Sequence, residues 1–499
     1  MDGNKATWSA RHERLIITAL CVIGAVRVFV FNAAFPPFNN IDEQAHFDMV
    51  CKYSRFNIPR TDIVLYDRET IETNIIYSAP QYFAPPEDRR PPLWTIPDVE
   101  KSPDFVKDVS DLHQQMANHE AGSFPVYYAL AGLWYKAGKM LGLSRGQLIF
   151  WVRFLNVPVF VLLIMLSCLA AKSLYPEVDD LRIALPLLTT FFPQDIFYSI
   201  TSDMLSPLLF GIVFFMLVQI YHYRKSYLYH FTAGFFVAAT FLTKLSNITV
   251  MFLLGAVIVL KIKKLSSERQ VKQYLPNLVV LLAVSLIPAG LWLVRNYFVT
   301  GDALASAGKI AHSGWTVKPL GERLHHPIFT FSGMGYFLAE LTKTFWRGEF
   351  IWHFKVLASK WMDVFYVASS AIFVLTCGTV FFTERKANNG NKFEIGLSFF
   401  VLIVSVLFLA MLSITFDFGN WFCPSREKPY FTTARLMGGA LLPFLIIYID
   451  GIKRLLLFFK SSQYLLPAIA AIVIAITWSE ISISLEVFRS PYNWFHLIK

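Results

Sequence analysis

Residues 15 to 35 read LIITALCVIGAVRVFVFNAAF, and residues 38 to 48, just beyond them, read FNNIDEQAHFD. The first stretch is apolar along a length that crosses about 30 Å of hydrocarbon as a single helix, and Arg27 is its only charged side chain. The second is rich in acids and begins at whichever surface that helix reaches. Asn32-Ala33-Ala34 is small enough for a leader cleavage site. The run is nevertheless long for a leader, contains an arginine and leads directly into the acidic stretch, so it reads as an uncleaved anchor.

Comparable runs recur at 124 to 143, 148 to 171, 181 to 200, 204 to 221, 229 to 243, 247 to 262, 275 to 295, 361 to 383, 394 to 416, 434 to 450 and 464 to 484. Of the 499 residues 55% are apolar and only 16% charged, where a soluble domain carries about 25% charged residues. The mean hydropathy of +0.47 agrees. A soluble enzyme is excluded, and the fold class is all-α, a polytopic transmembrane helical protein. Gly and Pro number 25 each, and the five cysteines follow no pattern, which excludes collagen and a disulfide scaffold.

Basic residues in short connections stay on the cytoplasmic side. They cluster at Lys5, Arg11 and Arg14, at Arg224 and Lys225, from Lys261 to Lys272, at Arg385, Lys386 and Lys392, and at Lys453, Arg454 and Lys460. The net charge of +10 is thereby largely topological and is no signal of nucleic acid. Five runs separate the N-terminus from Arg224, so one of them does not cross. The run 124 to 143 is interrupted by Lys136, Gly138 and Lys139 and carries Trp134 and several tyrosines, which suits an interfacial helix. About 11 spans plus this interfacial helix remain. Two large loops, 36 to 123 and 296 to 360, then fall on the outer side, dividing the chain into 1–295, 296–360 and 361–499. The same count places Asp42, Glu43, His46, Arg153, Asp203, Lys244, Arg295 and Arg435 at or near the outer face. Cys51 and Cys423 also fall there, where a disulfide is chemically permitted.

Helical spacing puts Asp42 and His46 on one face with Glu43 beside them. A carboxylate in partly apolar surroundings can act as general base on a hydroxyl. The same residues also suit a helix N-terminus, with Asp42 as N-cap and Glu43 favourable to the dipole. One His with two acids lacks the paired-His spacing of zinc proteases.

An acidic pair just past the first transmembrane helix resembles the hallmark of the GT-C superfamily of integral membrane glycosyltransferases. The resemblance continues along the chain. His119-Glu120-Ala121-Gly122-Ser123-Phe124-Pro125 is similar to the stretch that opens the next helix in protein mannosyltransferase-like and aminoarabinose transferase-like members, although Glu120 and Ala121 stand where a proline pair is usual. Arg153-Phe154-Leu155-Asn156, Thr201-Ser202-Asp203, Phe241-Leu242-Thr243-Lys244 and Trp292-Leu293-Val294-Arg295-Asn296 resemble the motifs that follow. Thr344-Phe345-Trp346-Arg347-Gly348-Glu349-Phe350 and Ala434-Arg435-Leu436 resemble a less characterised bacterial branch with an Asp-Glu-x-x-His first-loop motif. Ala434 replaces the usual glycine there and Leu436 the tyrosine.

The resemblance implies transfer of a sugar from a polyprenyl-phosphate donor to a glycan, lipid or protein acceptor, on the outer face of the bacterial inner membrane. It implies Asp42 as base, with Glu43 as its orienting partner or substitute, and Arg295, Lys244, Arg153 and Arg435 as donor-phosphate ligands. Asp203 is a candidate for positioning the acceptor or a divalent cation, Mg or Mn, and no cofactor is firmly implied. His46 and His119, with His312, His325 and His326, are candidate sugar or phosphate contacts. Trp346, like Trp315 and Trp352, suits either stacking on a sugar or anchoring the late loop at the interface. Two other classes share many spans and buried charges: a transporter or lipid flippase, and a polysaccharide polymerase or ligase. Polar candidates gathered toward one face favour surface chemistry over transport, which usually shows internal repeats and broken midplane helices.

Overall fold

The structure, a computed structural model, describes residues 10–39, 42–61, 63–176, 178–223, 225–383, 391–419 and 424–497. Lys5, Arg224, Arg385, Lys386 and Cys423 lie outside the described residues, and with Cys423 the disulfide that chemistry would permit with Cys51. In chain order the helices are α1 (Ala10–Ala34), α2 (Glu43–Ser54), α3 (Arg68–Tyr77), α4 (Pro103–Gln115), α5 (Pro125–Met140), α6 (Arg145–Phe154), α7 (Asn156–Leu174), α8 (Asp179–Thr190), α9 (Ser206–His222) and α10 (Tyr227–Phe241). There follow α11 (Thr249–Ser267), α12 (Val271–Thr300), α13 (Ala307–His312), α14 (Leu320–Leu324), α15 (Phe331–Arg347), α16 (Lys360–Thr383), α17 (Lys392–Thr415), α18 (Leu441–Phe458), α19 (Leu465–Phe488) and α20 (Trp494–Leu497).

The protein is an all-α polytopic membrane protein. Eight helical segments among the described residues are long and apolar enough to cross a membrane: Arg11–Ala34, Arg145–Leu174, Ser202–His222, Leu245–Ser267, Val271–Thr300, Lys360–Thr383, Lys392–Thr415 and Ser462–Phe488. The expected eleven are therefore eight by this measure. The other three runs form α8 and α10, which are only 12 and 15 residues long, and α18, which carries Asp450, Lys453 and Arg454. The run at 124 to 143 forms α5, which is not among the eight and packs on α2 of the first loop.

Local chemistry explains several boundaries. Pro125 opens α5, where its missing N–H costs nothing. Ser144 and Gln147 make a reciprocal capping box at the start of α6. Gly301, at φ +78°, ends α12 in the left-handed conformation that glycine alone takes without strain. Arg27, costly at membrane depth, is fully provided for. It pairs with Glu480 at 2.6 Å and donates to Tyr198 Oη and to the carbonyls of Thr190 and Phe192. Large apolar side chains such as Val22, Leu162, Phe298, Trp361, Leu375 and Trp478 remain exposed on the outside of the bundle, the surface that helices offer to lipid.

The first loop is not a linker. α2, α3 and α4 close over a small core of Ala45, Tyr66, Ile71, Ile76, Phe105 and Val109. Three short antiparallel pairs tie the loops down: Val64–Leu65 with Ala117–Asn118, Thr316–Val317 with Phe416–Asp417, and Ile351–Trp352 with Lys355–Val356. The first joins the near and far parts of the first loop, and the second fastens the late loop to the end of α17. The two loops also meet each other, because the backbone N–H groups of His353 and Phe354 donate to the carbonyls of Gln81 and Tyr82.

Candidate functional site

Two neighbouring acids leave the start of α2 in different directions. The Glu43 carboxylate is fully buried and accepts from Arg153 Nε at 2.7 Å and Nη2 at 2.6 Å, and from the backbone N–H groups of Phe38 and Ile200 at 2.8 and 2.9 Å. Arg153 donates its remaining hydrogens to the carbonyls of Asn32, Phe35 and Pro36. All five guanidinium donors are thus engaged and the side chain is 1% exposed, which leaves nothing to offer a phosphate. The expectation that Arg153 holds the donor phosphate is corrected: Arg153 and Glu43 clamp the end of α1, the start of α2 and α6 together.

Asp42 occupies the N-cap position of α2 at φ +64°, a backbone conformation that Asp tolerates better than most, and its side chain caps nothing. Instead Oδ2 lies 3.2 Å from Arg435 Nη2 and Oδ1 3.2 Å from His119 Nε2. Arg435 reaches on to Asp203 at 3.7 Å, and Asp203 is paired with Lys244 at 2.6 Å. A second arm runs through Glu120, which pairs with Lys309, accepts from the Ser123 and Tyr128 hydroxyls and stands 3.7 Å from His119. Tyr128 is also 2.7 Å from His46 Nδ1, and the His312 ring stacks on His119. Asp42, His46, His119, Asp203, Lys244 and Arg435 therefore belong to one connected cluster. It draws on the first loop, the turns before α9 and α11, the late loop and the segment before α18. The side chains of Asp42, Arg435, Lys244 and His119 are 17 to 23% exposed, so the cluster can be reached from outside.

The charges brace one another. Burial works against an ionised Asp42, but the hydrogen bond with His119 and the cations Arg435 and Lys309 outweigh it and hold the carboxyl well below the usual carboxylate range. Glu120, also opposed by burial, is held low by Lys309 and the neighbouring histidines. Burial, helped by the Lys244 and Lys309 ammonium groups, pushes His46 down to about 4 against the pull of Glu120 and Asp42, so this imidazole is neutral at pH 7.

A second pair of acids adjoins the cluster. Gly348 sits at φ +81°, and a Cβ there would overlap the Asp195 carboxylate, so glycine is required on both counts. The next backbone N–H, that of Glu349, donates to Asp195 Oδ2 at 2.8 Å. Glu349 Oε1 accepts from the Thr433 hydroxyl at 3.2 Å, while Oε2 is shielded from solvent without a hydrogen-bond partner. Burial first, and then the Asp195 charge, push Glu349 up to about 7 against Arg435 and Arg347.

Two further expected site residues are placed elsewhere. Trp346 is fully buried, donates to Ser370 Oγ at 2.9 Å and stacks on Tyr366, so it is a core residue of the bundle and has no face for a sugar. Arg295 lies over the Trp292 ring and donates to the carbonyl of Pro59 and to Asn296 Oδ1. None of the described ion pairs joins it to Asp42, Asp203 or Glu120. Conversely, no motif in the sequence singles out Lys309, Asp195 or Glu349 as site residues, and Glu120 stands out only as a departure from a motif. Glu349 lies within the quoted Thr344 to Phe350 motif, the one signal that could have found it.

Asp42, His119 and Glu120 offer three ligand atoms within 4.8 Å of one another, a mixed oxygen and nitrogen donor set that suits a divalent cation. Arg435 and Lys309 take the same two carboxylates in the arrangement described.

Residues 25–420 match the sequence profile of a family described as predicted membrane protein, DUF2142. The chain belongs to this family. The DUF2142 match runs from within α1 past the end of α17 and takes in Asp42, His119, Asp203, Lys244, Lys309 and Glu349, whereas Arg435 lies beyond it. No curated protein matches the chain. Among solved structures, the crystal structure of the Archaeoglobus fulgidus oligosaccharyltransferase in its apo form is similar with a TM-score of 0.45 and 9% identity, over 97% of this chain. The chain spans 57% of that protein's length.

Proposed function

We propose that this chain is a membrane glycosyltransferase of the GT-C type, moving a sugar from a polyprenyl-phosphate carrier to an envelope acceptor with inversion at the anomeric carbon. One observation carries the reading: an acid from the first loop, Asp42, and cations from distant segments, Lys244, Lys309 and Arg435, meet in a single reachable cluster. Such a cluster at the end of a membrane bundle has the parts this chemistry needs, which are cations for a phosphate and a carboxylate for a hydroxyl proton.

Arg435 and Lys244 are the phosphate ligands in this reading. Arg435 has a buried Nε without a hydrogen-bond partner and a fork suited to phosphate oxygens. A phosphate held by Arg435 and Lys244 draws the Arg435 charge away from Asp42 and so restores part of its basicity. The acceptor oxygen then bonds to the anomeric carbon as the bond from that carbon to the phosphate oxygen breaks. The hydroxyl proton passes to Asp42, and the leaving phosphate stays with the cations. His119 and the clamped Glu43 keep Asp42 in place. The basic connections favour the outer face of a bacterial inner membrane for this end of the bundle.

The test uses the purified protein in lipid vesicles with a radiolabelled polyprenyl-phosphate sugar and an extract of envelope lipids and glycans. Label moving to a new product with stoichiometric release of polyprenyl phosphate is expected. Label that stays on the carrier, across the common carrier sugars and with divalent cations supplied, overturns the reading.

A further inference from the structure

The late loop carries apolar surface that neither the bundle nor the charged cluster accounts for. Three stripes run along the first part of α15. Gly333, Phe337 and Leu341 are buried against the bundle. Phe331, Met334 and Leu338, spaced i, i+3 and i+7, form a second stripe and are exposed. Ser332, Tyr336, Glu340 and Lys343 make the third, polar stripe, on the side away from the exposed apolar one. Leu320 and Leu324, one turn apart on α14, are exposed as well. Trp346 and Trp352 are buried, so neither of these late-loop tryptophans supplies a membrane anchor.

The two ends of α15 fix its level. α16 and α17 are consecutive spans, so the start of α16 and the end of α17 lie at one face of the membrane. At its C-terminal end α15 sets Arg347 on Asp363 at 2.7 Å and Trp346 on Ser370 at 2.9 Å, and Ser370 lies about 15 Å along α16 from its start. At its N-terminal end Gly333 and Tyr336 pack on Tyr430, and the next residue, Phe431, donates its N–H to Ser413 Oγ in the last turn of α17 at 2.8 Å. α14 is held at the same place, because the backbone N–H and the ammonium group of Lys318 donate to the carbonyls of Thr415 and Ser413. α15 thus reaches from the last turn of α17 to the first turns of α16, within the thickness that both spans cross. Trp361 and Val364 on α16 and Met411 on α17 face outward over the same reach. Large apolar side chains exposed at that depth continue the lipid-facing surface of the spans, and a helix with an apolar stripe on one side and a polar stripe on the other lies along the interface.

We infer that α14 and α15 lie in the lipid leaflet on the loop side of the membrane, with Leu320, Leu324, Phe331, Met334 and Leu338 among the acyl chains and Ser332, Glu340 and Lys343 toward the head groups. The partner of this surface is the bilayer itself. α15 also holds the segment that carries Arg435: the Thr344 hydroxyl donates to the Thr432 carbonyl and accepts from the Ala434 N–H at 3.4 Å. A helix lying in the leaflet thereby fixes Arg435 at the level of the lipid head groups, whatever reaction the charged cluster carries out.

The experiment is carbene labelling of the full chain in phosphatidylcholine nanodiscs, read peptide by peptide in the mass spectrometer. One probe is a phosphatidylcholine with a diazirine at the middle of an acyl chain; the other is a water-soluble diazirine amino acid. Two peptides serve as references: that holding Met411, on the lipid-facing side of α17, and that holding Val106 and Leu112, exposed on α4 of the first loop. For the peptide holding Phe331, Met334 and Leu338, the ratio of acyl-chain to aqueous labelling is expected to fall within about threefold of the Met411 ratio. A ratio nearer to that of the α4 peptide would place the stripe in water and overturn the proposal. Labelling by neither probe overturns it as well, because protein, a second copy or another chain, would then cover the stripe. The wild-type chain is used throughout, so the result does not depend on the folding of a variant.

Discussion

Arg435 Nη2 lies 3.2 Å from Asp42 Oδ2, joining side chains 393 positions apart in the chain. The guanidinium also stands 3.7 Å from Asp203, so one cation spans the acid of the first loop and the acid that leads into α9. Arg435→Lys keeps the charge but loses the fork that reaches both carboxylates. Transfer from a polyprenyl-phosphate sugar is expected to fall about a hundredfold, mostly in kcat/KM for the donor. An unchanged donor dependence would remove Arg435 from the phosphate site.

Asp42→Asn preserves shape and removes the proton acceptor. Turnover should drop by roughly 10² to 10⁴, the range for loss of a general base, with the gel-filtration profile of the wild type. Near-normal turnover in this variant would assign the base elsewhere in the cluster.

Glu43 and Arg153 form a buried pair of 0 and 1% exposure, and removing one partner strands the other in a place without water. Arg153→Met is expected to cost about 3–5 kcal/mol and to show as aggregated protein on extraction. Combining it with Glu43→Gln should recover part of the loss, because no unpaired charge then remains. A single variant that extracts and melts like the wild type would contradict the clamp.

Glu349 titrates against Asp195, Arg435, Arg347 and Tyr82, with the Thr433 hydroxyl on one of its oxygens. Its carboxyl is raised to about 7 in the folded protein, against an ordinary value near 4.5 when unfolded. Between these two values the folded state holds the extra proton, so stability falls as pH rises through this window, and above pH 7 the whole penalty is present. Glu349→Gln removes that penalty. Its melting temperature should match the wild type near pH 4.5 and exceed it by roughly 2 °C or more at pH 8, read by tryptophan fluorescence. A gap that is constant with pH would mean Glu349 is ionised throughout.

Membrane crossing and the helical class were legible in the chain itself, because hydrocarbon thickness and backbone hydrogen bonding leave an apolar run little freedom. So was Asp42, since an acidic pair directly after the first span is a local pattern. What the pattern could not separate was Asp42 from Glu43. They are adjacent and alike, yet one turns to Arg435 and His119 while the other is sealed against Arg153, a difference made by packing partners far along the chain. Arg153 and Trp346 escape a sequence reading for the same reason: a residue type suited to a ligand is equally suited to a core, and burial is a property of the assembled bundle. Lys309 carried no local pattern beyond a long late loop, and Glu349 none beyond the Thr344 to Phe350 motif. Only tertiary structure set Lys309 on Glu120 and Glu349 beside Asp195, because the contacts of a long loop are decided by the surface on which it folds.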